Sequence, residues 1–468
     1  MPYTFAHRFA TLIGAAAVGA CATRPLPVLA PSVPAQWQQA AQADAGKVDL
    51  RGWWHAFHDP QLDTLVDTAL RDNLNVAAAR EHLLAARALE RSSKYAYFPG
   101  LRAKTMDAID PDARATYFVA GFDALWEVPL FGRDVATARQ TQGNHDLALA
   151  NLQQARVSLV AEVVRNWLDL RAAQQRQATL ETMRGERERQ LELWQTRLRL
   201  KLADPGAVAQ AEAAAAQARA AAAEPAQSMR AAAQALAALL GRDKADSAWL
   251  APGAQPDLGA LALRSAPADL LRTRPEIAHA EATVLAAAGD AGVAHADMFP
   301  SVKLGGSIVW ATNLATYRQP GDSAIASAGP LLDIPLFDWG LRRAQSHAKA
   351  HELQAAVFAY RQAVLDGVAE VQTALGRLAL QRQQERESTQ AVAALERAQT
   401  AAAKRVALGL DSPLQELDSA LAAGQARLTA IDARAAHGLA FVALYKALGG
   451  APLPAVADDA HAAAEPRP

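Results

Sequence analysis

Cysteine is almost missing from this 468-residue chain. The single one, Cys21, excludes an intrachain disulfide framework and any zinc site built from several thiolates. A surplus of one charge is missing as well. Lys and Arg number 47 against 48 Asp and Glu, a formal net charge of −1, which offers no electrostatic footprint for nucleic acid or for anionic lipid heads. No nucleophile elbow, phosphate-cradling glycine loop or paired-carboxylate signature is found, so catalysis has no support and no cofactor is expected. The apolar run at residues 9–20 is too short for a membrane-spanning helix, which needs about 20 residues. What is abundant is alanine, in runs such as Ala213 to Ala216 and Ala220 to Ala223. With 51% hydrophobic and 20% charged residues, this describes a folded, largely helical protein.

The apolar run follows His7 and Arg8 and ends at Val18-Gly19-Ala20-Cys21, a pattern that reads as a secretory signal at 1–20. It resembles the bacterial lipobox, in which small residues precede a cysteine that is acylated and becomes the first residue of a lipoprotein. Cys21 is then the lipid attachment point, and Ala22 after it favours delivery to the outer membrane. The bland reading is a lone thiol in a generic signal or helix. Pro25, Pro27, Pro31 and Pro34 exclude a helix and make 21–58 an extended tether.

A repeat with a period near 205 residues organises the rest. Phe98-Pro99-Gly100-Leu101 recurs as Phe299-Pro300-Ser301-Val302, and Pro129-Leu130-Phe131-Gly132-Arg133 recurs as Pro335-Leu336-Phe337-Asp338-Trp339-Gly340-Leu341-Arg342. Leu200, Leu202 and Pro205 correspond to Leu408, Leu410 and Pro413. The copies fall at 59–250 and 251–450, followed by an alanine- and proline-rich tail at 451–468 expected to be disordered. In each copy the spacing predicts a helix, a hairpin, a long helix, a break and another helix. The bounds are 61–97, 134–200 and 207–240 in the first, and 268–297, 342–408 and 414–448 in the second, with a kink at Pro225. A helix of about 66 residues rises roughly 100 Å, which suggests a coiled-coil assembly.

The hairpin regions alternate with period two. Phe118, Ala120, Phe122, Ala124 and Trp126 share one face, as do Val302, Leu304, Gly306, Ile308 and Trp310. Such strands suit an outer membrane, with Trp126 and Trp310 as an aromatic girdle, or else an ordinary half-buried hairpin of a soluble domain. The first strand, from Leu101 to Met106, is short, with a polar loop from Asp107 to Arg114. Four strands cannot close a barrel, and open edges are not tolerated in lipid, so a membrane role requires several chains.

Trp53-Trp54 through Phe57, Asp59-Pro60, Asn73, Ala79-Arg80, Arg274-Pro275-Glu276-Ile277 and Ala280-Glu281 join the landmarks above in order and spacing over nearly the whole mature chain. Together they resemble the outer-membrane efflux proteins, the TolC-like channels, within the NodT-like lipoprotein branch serving tripartite pumps. That resemblance implies a mainly α fold with a small β part. A long antiparallel α-helical coiled-coil barrel would carry four strands per chain into a 12-stranded barrel shared by a homotrimer. It also implies a passive conduit working with a periplasmic adaptor (membrane fusion) protein and an inner-membrane transporter, in contact with outer-membrane lipid and no nucleic acid. Substrates would be drugs, toxic compounds or metal ions. A channel for type I protein secretion and a non-channel structural lipoprotein are the competing readings.

The resemblance further implies an acidic ring at the periplasmic end. Asp418 matches one ring aspartate, Gln415 stands where a second often sits, and Glu416 lies between them; the alternative is solvated charge on a helix face. Val406 occupies a place where a gating tyrosine is common, which puts that latch in doubt. The breaks carry Lys201 and Leu202, and Gly409 and Leu410, as adaptor-contacting tips, with Lys201 in place of the family glycine. His347 and His351 lie four apart on a helix, a spacing open to a metal but more simply two exposed histidines.

Overall fold

In a computed structural model of the chain, the residues described are 25–29, 50–108, 117–258, 274–313 and 325–450. Cys21, the signal and the tail lie outside them. Seven α-helices are described: α1 Pro60–Asp72, α2 Leu74–Ser93, α3 Arg133–Arg199, α4 Pro205–Leu239, α5 Pro275–Ala296, α6 Leu341–Ala407 and α7 Pro413–Ala447. The strands are β1 Gly100–Ala108, β2 Tyr117–Val128, β3 Ser301–Asn313 and β4 Ile325–Asp333. The long helices α3 and α6 have 67 residues each, and α4 and α7 have 35 each. Among the described residues no helix is long and apolar enough to cross a membrane.

The chain divides into two compact units that cut across the repeat. One takes 81–150 and 276–363 and holds the sheet; the other takes 32–80, 151–275 and 364–468. In the sheet-bearing unit, α3 and α5 approach so closely that a Cβ on Gly143 would lie 2.4 Å from the Ala286 amide nitrogen. One on Gly289 would lie 2.4 Å from that of Gln140. Only glycine permits this approach, and Gln140 Nε2 donates to Asp290 Oδ1 at 2.5 Å beside it.

The other unit holds an aromatic core. Within the stretch expected as tether, Trp53–Phe57 forms a 3-10 helix with Trp53, Trp54 and Phe57 buried. Trp53 stacks on Tyr445 at 5.6 Å and 20°, and Phe57 meets Phe441 edge-on at 5.5 Å. The Trp53 indole donates to the Gly450 carbonyl at 2.9 Å. Each such fully buried side chain contributes about 1.5–3 kcal/mol. Asp59 caps α1 by accepting from the Gln61 and Leu62 amides at 2.9 and 3.3 Å, and its second oxygen accepts from Trp167 Nε1 at 2.7 Å. The N-terminal segment is thereby fastened to α3. Arg171, its guanidinium charge disfavoured by burial, lies over the Trp167 ring at 4.3 Å and donates to Gln61 at 2.6 Å.

Two sequence expectations need adjustment. The helix expected over 61–97 is interrupted at Asn73, which is extended. Its Oδ1 accepts from the Asn75 and Val76 amides at 3.0 and 3.1 Å, while its Nδ2 donates to the Leu239 carbonyl at 2.8 Å. A short polar side chain here substitutes for the helical hydrogen bonds. The first strand runs on to Ala108, beyond Met106. Pro225, the expected kink position, lies buried inside α4.

Candidate functional site: sheet wall and helical tips

The strands pair antiparallel in the order β1-β2-β3-β4, and among the described residues one edge of β1 and one of β4 have no strand beside them. Register sorts their side chains. Phe122 pairs with Ala103 and Ile308, Ala124 with Leu101 and Gly306, and Trp126 with Leu304, so the apolar faces read from sequence coincide on one side. Phe122, Leu304, Ile308 and Trp310 on that side are exposed. Trp310 pairs with Ala120, six residues from Trp126 on β2, which separates the two indoles by roughly 20 Å along the strand. That is close to the height of an outer-membrane apolar band, about 25 Å. The opposite side carries the polar pairs: Lys104 meets Asp123 at 2.6 Å, Lys303 meets Glu127 at 3.4 Å, and the Ser307 and Ser327 hydroxyls are 2.8 Å apart, with Leu125 and Leu331 exposed among them. A sheet with exposed apolar residues on one face and paired charges on the other suits lipid outside and water inside.

The two helical breaks are built alike. At the first, the Lys201 amide donates to the Leu198 carbonyl at 2.9 Å and the Leu202 amide to Arg197 at 2.8 Å; at the second, Gly409 donates to Val406 and Leu410 to Arg405, both at 2.9 Å. This pair of bonds needs a left-handed residue. Gly409 supplies it at φ 70°, and Lys201 adopts it at φ 61° despite its side chain. Leu202 and Leu410 are exposed, and so are their neighbours Leu200 and Leu408. Each tip therefore presents two bare leucines on a stiff turn.

At the second break Arg405 grips Asp411 through two bonds, at 2.5 and 3.0 Å. The guanidinium hydrogen bond holds the Asp411 carboxyl below the ordinary aspartate range. Sequence reasoning missed this clamp; the signal was an arginine and an aspartate flanking the glycine turn. Of the three candidate acidic-ring positions, Gln415 and Asp418 are exposed, adjoining the buried face of Leu414, Leu417 and Leu421. Asp418 accepts from Gln190 Nε2 of α3 at 2.7 Å. Glu416 instead lines a groove of about 930 Å³ with Glu192 of α3 and Arg427 of α7. The geometry thus separates Glu416 from the pair. Val406 is half-buried in the last turn of α6. His347 and His351 are exposed, and no group of three or more metal-ligating side chains occurs among the described residues.

Comparison with known proteins fits this geometry. The profile of the family described as outer membrane efflux protein matches residues 65–242 and 266–450. The chain belongs to the outer membrane efflux protein family, and it is the outer-membrane channel component of an efflux system. Among curated relatives, the pyoverdine export outer membrane protein OpmQ of Pseudomonas aeruginosa is 28% identical over 92% of this chain and 94% of its own. Nodulation protein T of Rhizobium leguminosarum bv. viciae is 27% identical over 73% of this chain and 72% of its own. The solved outer-membrane channel OprN superposes with a TM-score of 0.80 at 27% identity, covering 92% of this chain and 99% of its own. Family members are channels, not enzymes.

Proposed function

We propose that three copies of the chain close one twelve-stranded barrel, lipid-anchored through Cys21. The channel would receive small molecules from an inner-membrane transporter through a periplasmic adaptor. The observation that carries this reading is the four-stranded sheet with, among the described residues, two unpaired edges and an exposed apolar face: open edges cannot persist in lipid, and a ring of identical sheets removes them. The paired leucines at both tips supply apolar anchors for the adaptor, and Lys201 and Gly409 set the turns that present them.

Asp418, with Gln415 on the same helix face, is assigned the periplasmic constriction, where three symmetry-related carboxylates would favour cations. The hydrogen bond from Gln190 orients its carboxylate, and Glu416 serves the groove. Reconstituted trimers in a planar bilayer test this. Stable single-channel currents with cation preference are expected, weakened in Asp418→Ala; unchanged selectivity would remove Asp418 from the role, and absence of currents would favour a structural lipoprotein. Cys21→Ala is expected to lose incorporation of labelled fatty acid, and persistent labelling would refute the anchor.

A further inference from the structure

The repeat aligns the two tips residue for residue: Arg197, Arg199, Lys201 and Ala203 at the first stand where the second has Arg405, Ala407, Gly409 and Asp411. The backbones match and the charges do not. At the second tip Arg405 is neutralised by its two bonds to Asp411, whose side chain is only 13% exposed. At the first, alanine replaces that aspartate, and the Arg197 guanidinium lies over the Trp194 ring at 5.4 Å instead. Arg199 donates to the Thr196 hydroxyl at 3.0 Å. The carboxylate next in sequence, Asp204, is turned to α4, where it accepts from the Gly206 and Ala207 amides at 2.7 and 3.1 Å.

Among the described residues the first tip therefore carries three exposed cations, Arg197, Arg199 and Lys201, with no ion pair, beside the bare Leu200 and Leu202. The second keeps only Lys404 unpaired. A cation near a helix C-terminus is favoured by the peptide dipoles, which accounts for Arg197 and Arg405 alike. Lys201 has no such account. Glycine meets the same backbone requirement with less strain, as Gly409 does, and a lysine held at φ 61° is the kind of outlier that persists where a site uses it.

We infer that the first tip is read by acidic side chains of the adaptor. A helical hairpin whose turn carries carboxylates meets Lys201, Arg197 and Arg199, while its apolar residues cover Leu200 and Leu202. The second tip, its arginine already paired, takes the apolar contact without that charge. The inference rests on the adaptor docking proposed above and names the chemistry of the partner surface. Exposed ion pairs add modest affinity, but a like-charged partner is rejected outright, so the first tip selects the partner more than it holds it. Stability given up at Lys201 serves that selection.

Two synthetic helical hairpins, identical except for glutamates or lysines flanking a leucine turn, test the inference when titrated against the full-length protein in detergent. At low salt the acidic hairpin is expected to bind about tenfold more tightly than the basic one, with the difference shrinking at high salt. Lys201→Gly should weaken the acidic hairpin by about fivefold while raising the midpoint of thermal unfolding, a combination that a merely structural lysine would not produce. Lys201→Glu should erase or reverse the preference, and Lys404→Gln at the second tip should leave it unchanged. Equal binding of the two hairpins, or a preference that survives both Lys201 variants, overturns the inference. If equal binding is then lost when Leu202→Ser and Leu410→Ser are combined, docking at the tips stands without the charge reading; failure of both hairpins to bind removes the docking and the inference together.

Discussion

Gly143 and His351 each lie ten residues beyond the start of a 67-residue helix, yet one sits where no side chain fits and the other lies in the open. The tips show the same contrast on a smaller scale. Lys201 and Gly409 share a left-handed backbone and the same two hydrogen bonds, but only one of them is the residue that this backbone prefers. The duplication has kept the course of the chain while the side chains have diverged according to what each copy faces. Gly143 is closed over within the molecule and Phe131 stacks on Phe299, while His351 and Trp339, at the equivalent places of the second copy, are exposed. A duplicated backbone can thus carry two different packings.

The sharpest way to break that comparison is to exchange the helix residues. Gly143→His places a side chain against the Ala286 backbone and is expected to lose about 3 kcal/mol or more, the upper end of overpacking effects, seen as a lowered midpoint of thermal unfolding. His351→Gly should lose only about 1 kcal/mol, the intrinsic helix penalty of glycine. Similar losses at both positions would mean that the helices are not packed differently.

At the tips the expected effects are smaller and opposite in sign. Lys201→Gly is expected to stabilise by about 1 kcal/mol, and Gly409→Lys to destabilise by about the same, because a left-handed residue with a side chain carries about 1–2 kcal/mol of strain. Denaturant unfolding measures both; a loss in both variants would show that the Lys201 side chain matters more than its backbone. The smallest effect concerns Arg405 and Asp411. Since Asp411 is held below its ordinary range by the arginine hydrogen bond, its contribution is complete above about pH 4, the ordinary aspartate value, and is lost as pH falls through the depressed one. Among the described residues no ion pair spans the first tip. Acidification should therefore speed amide exchange at Gly409 and Leu410 more than at Lys201 and Leu202. Asp411→Asn should abolish the difference; equal acceleration at both tips in the unaltered protein would discard the clamp.

Much of the architecture was legible because its signals are local. Proline and aspartate at helix starts, glycine at stops and period-two alternation in the strands located the long helices to within about a residue or two. Asn73 was read as a family landmark and not as a break: its capping bonds to Asn75 and Val76 are local, but its hold on the Leu239 carbonyl, 166 positions away, is not. The candidate site was only partly legible. Gln415, Glu416 and Asp418 are adjacent in sequence, but their separation into an exposed pair and a groove residue depends on which helices pack against α7. Gln190 as the partner of Asp418 could not be read at all, since 228 residues separate them.

The sequence by itself determined where the long helices begin and end, that the unit is duplicated, and that one side of each hairpin is apolar. Each of these follows from the conformational preferences of neighbouring residues. Only the tertiary structure decided that the apolar sides of β2 and β3 coincide, that Gly143 meets backbone while His351 is exposed, and that Phe131 is stacked on Phe299 while Trp339 is bare. Those outcomes depend on register and on contacts between segments far apart in the chain, where one local pattern takes opposite roles according to what lies across from it.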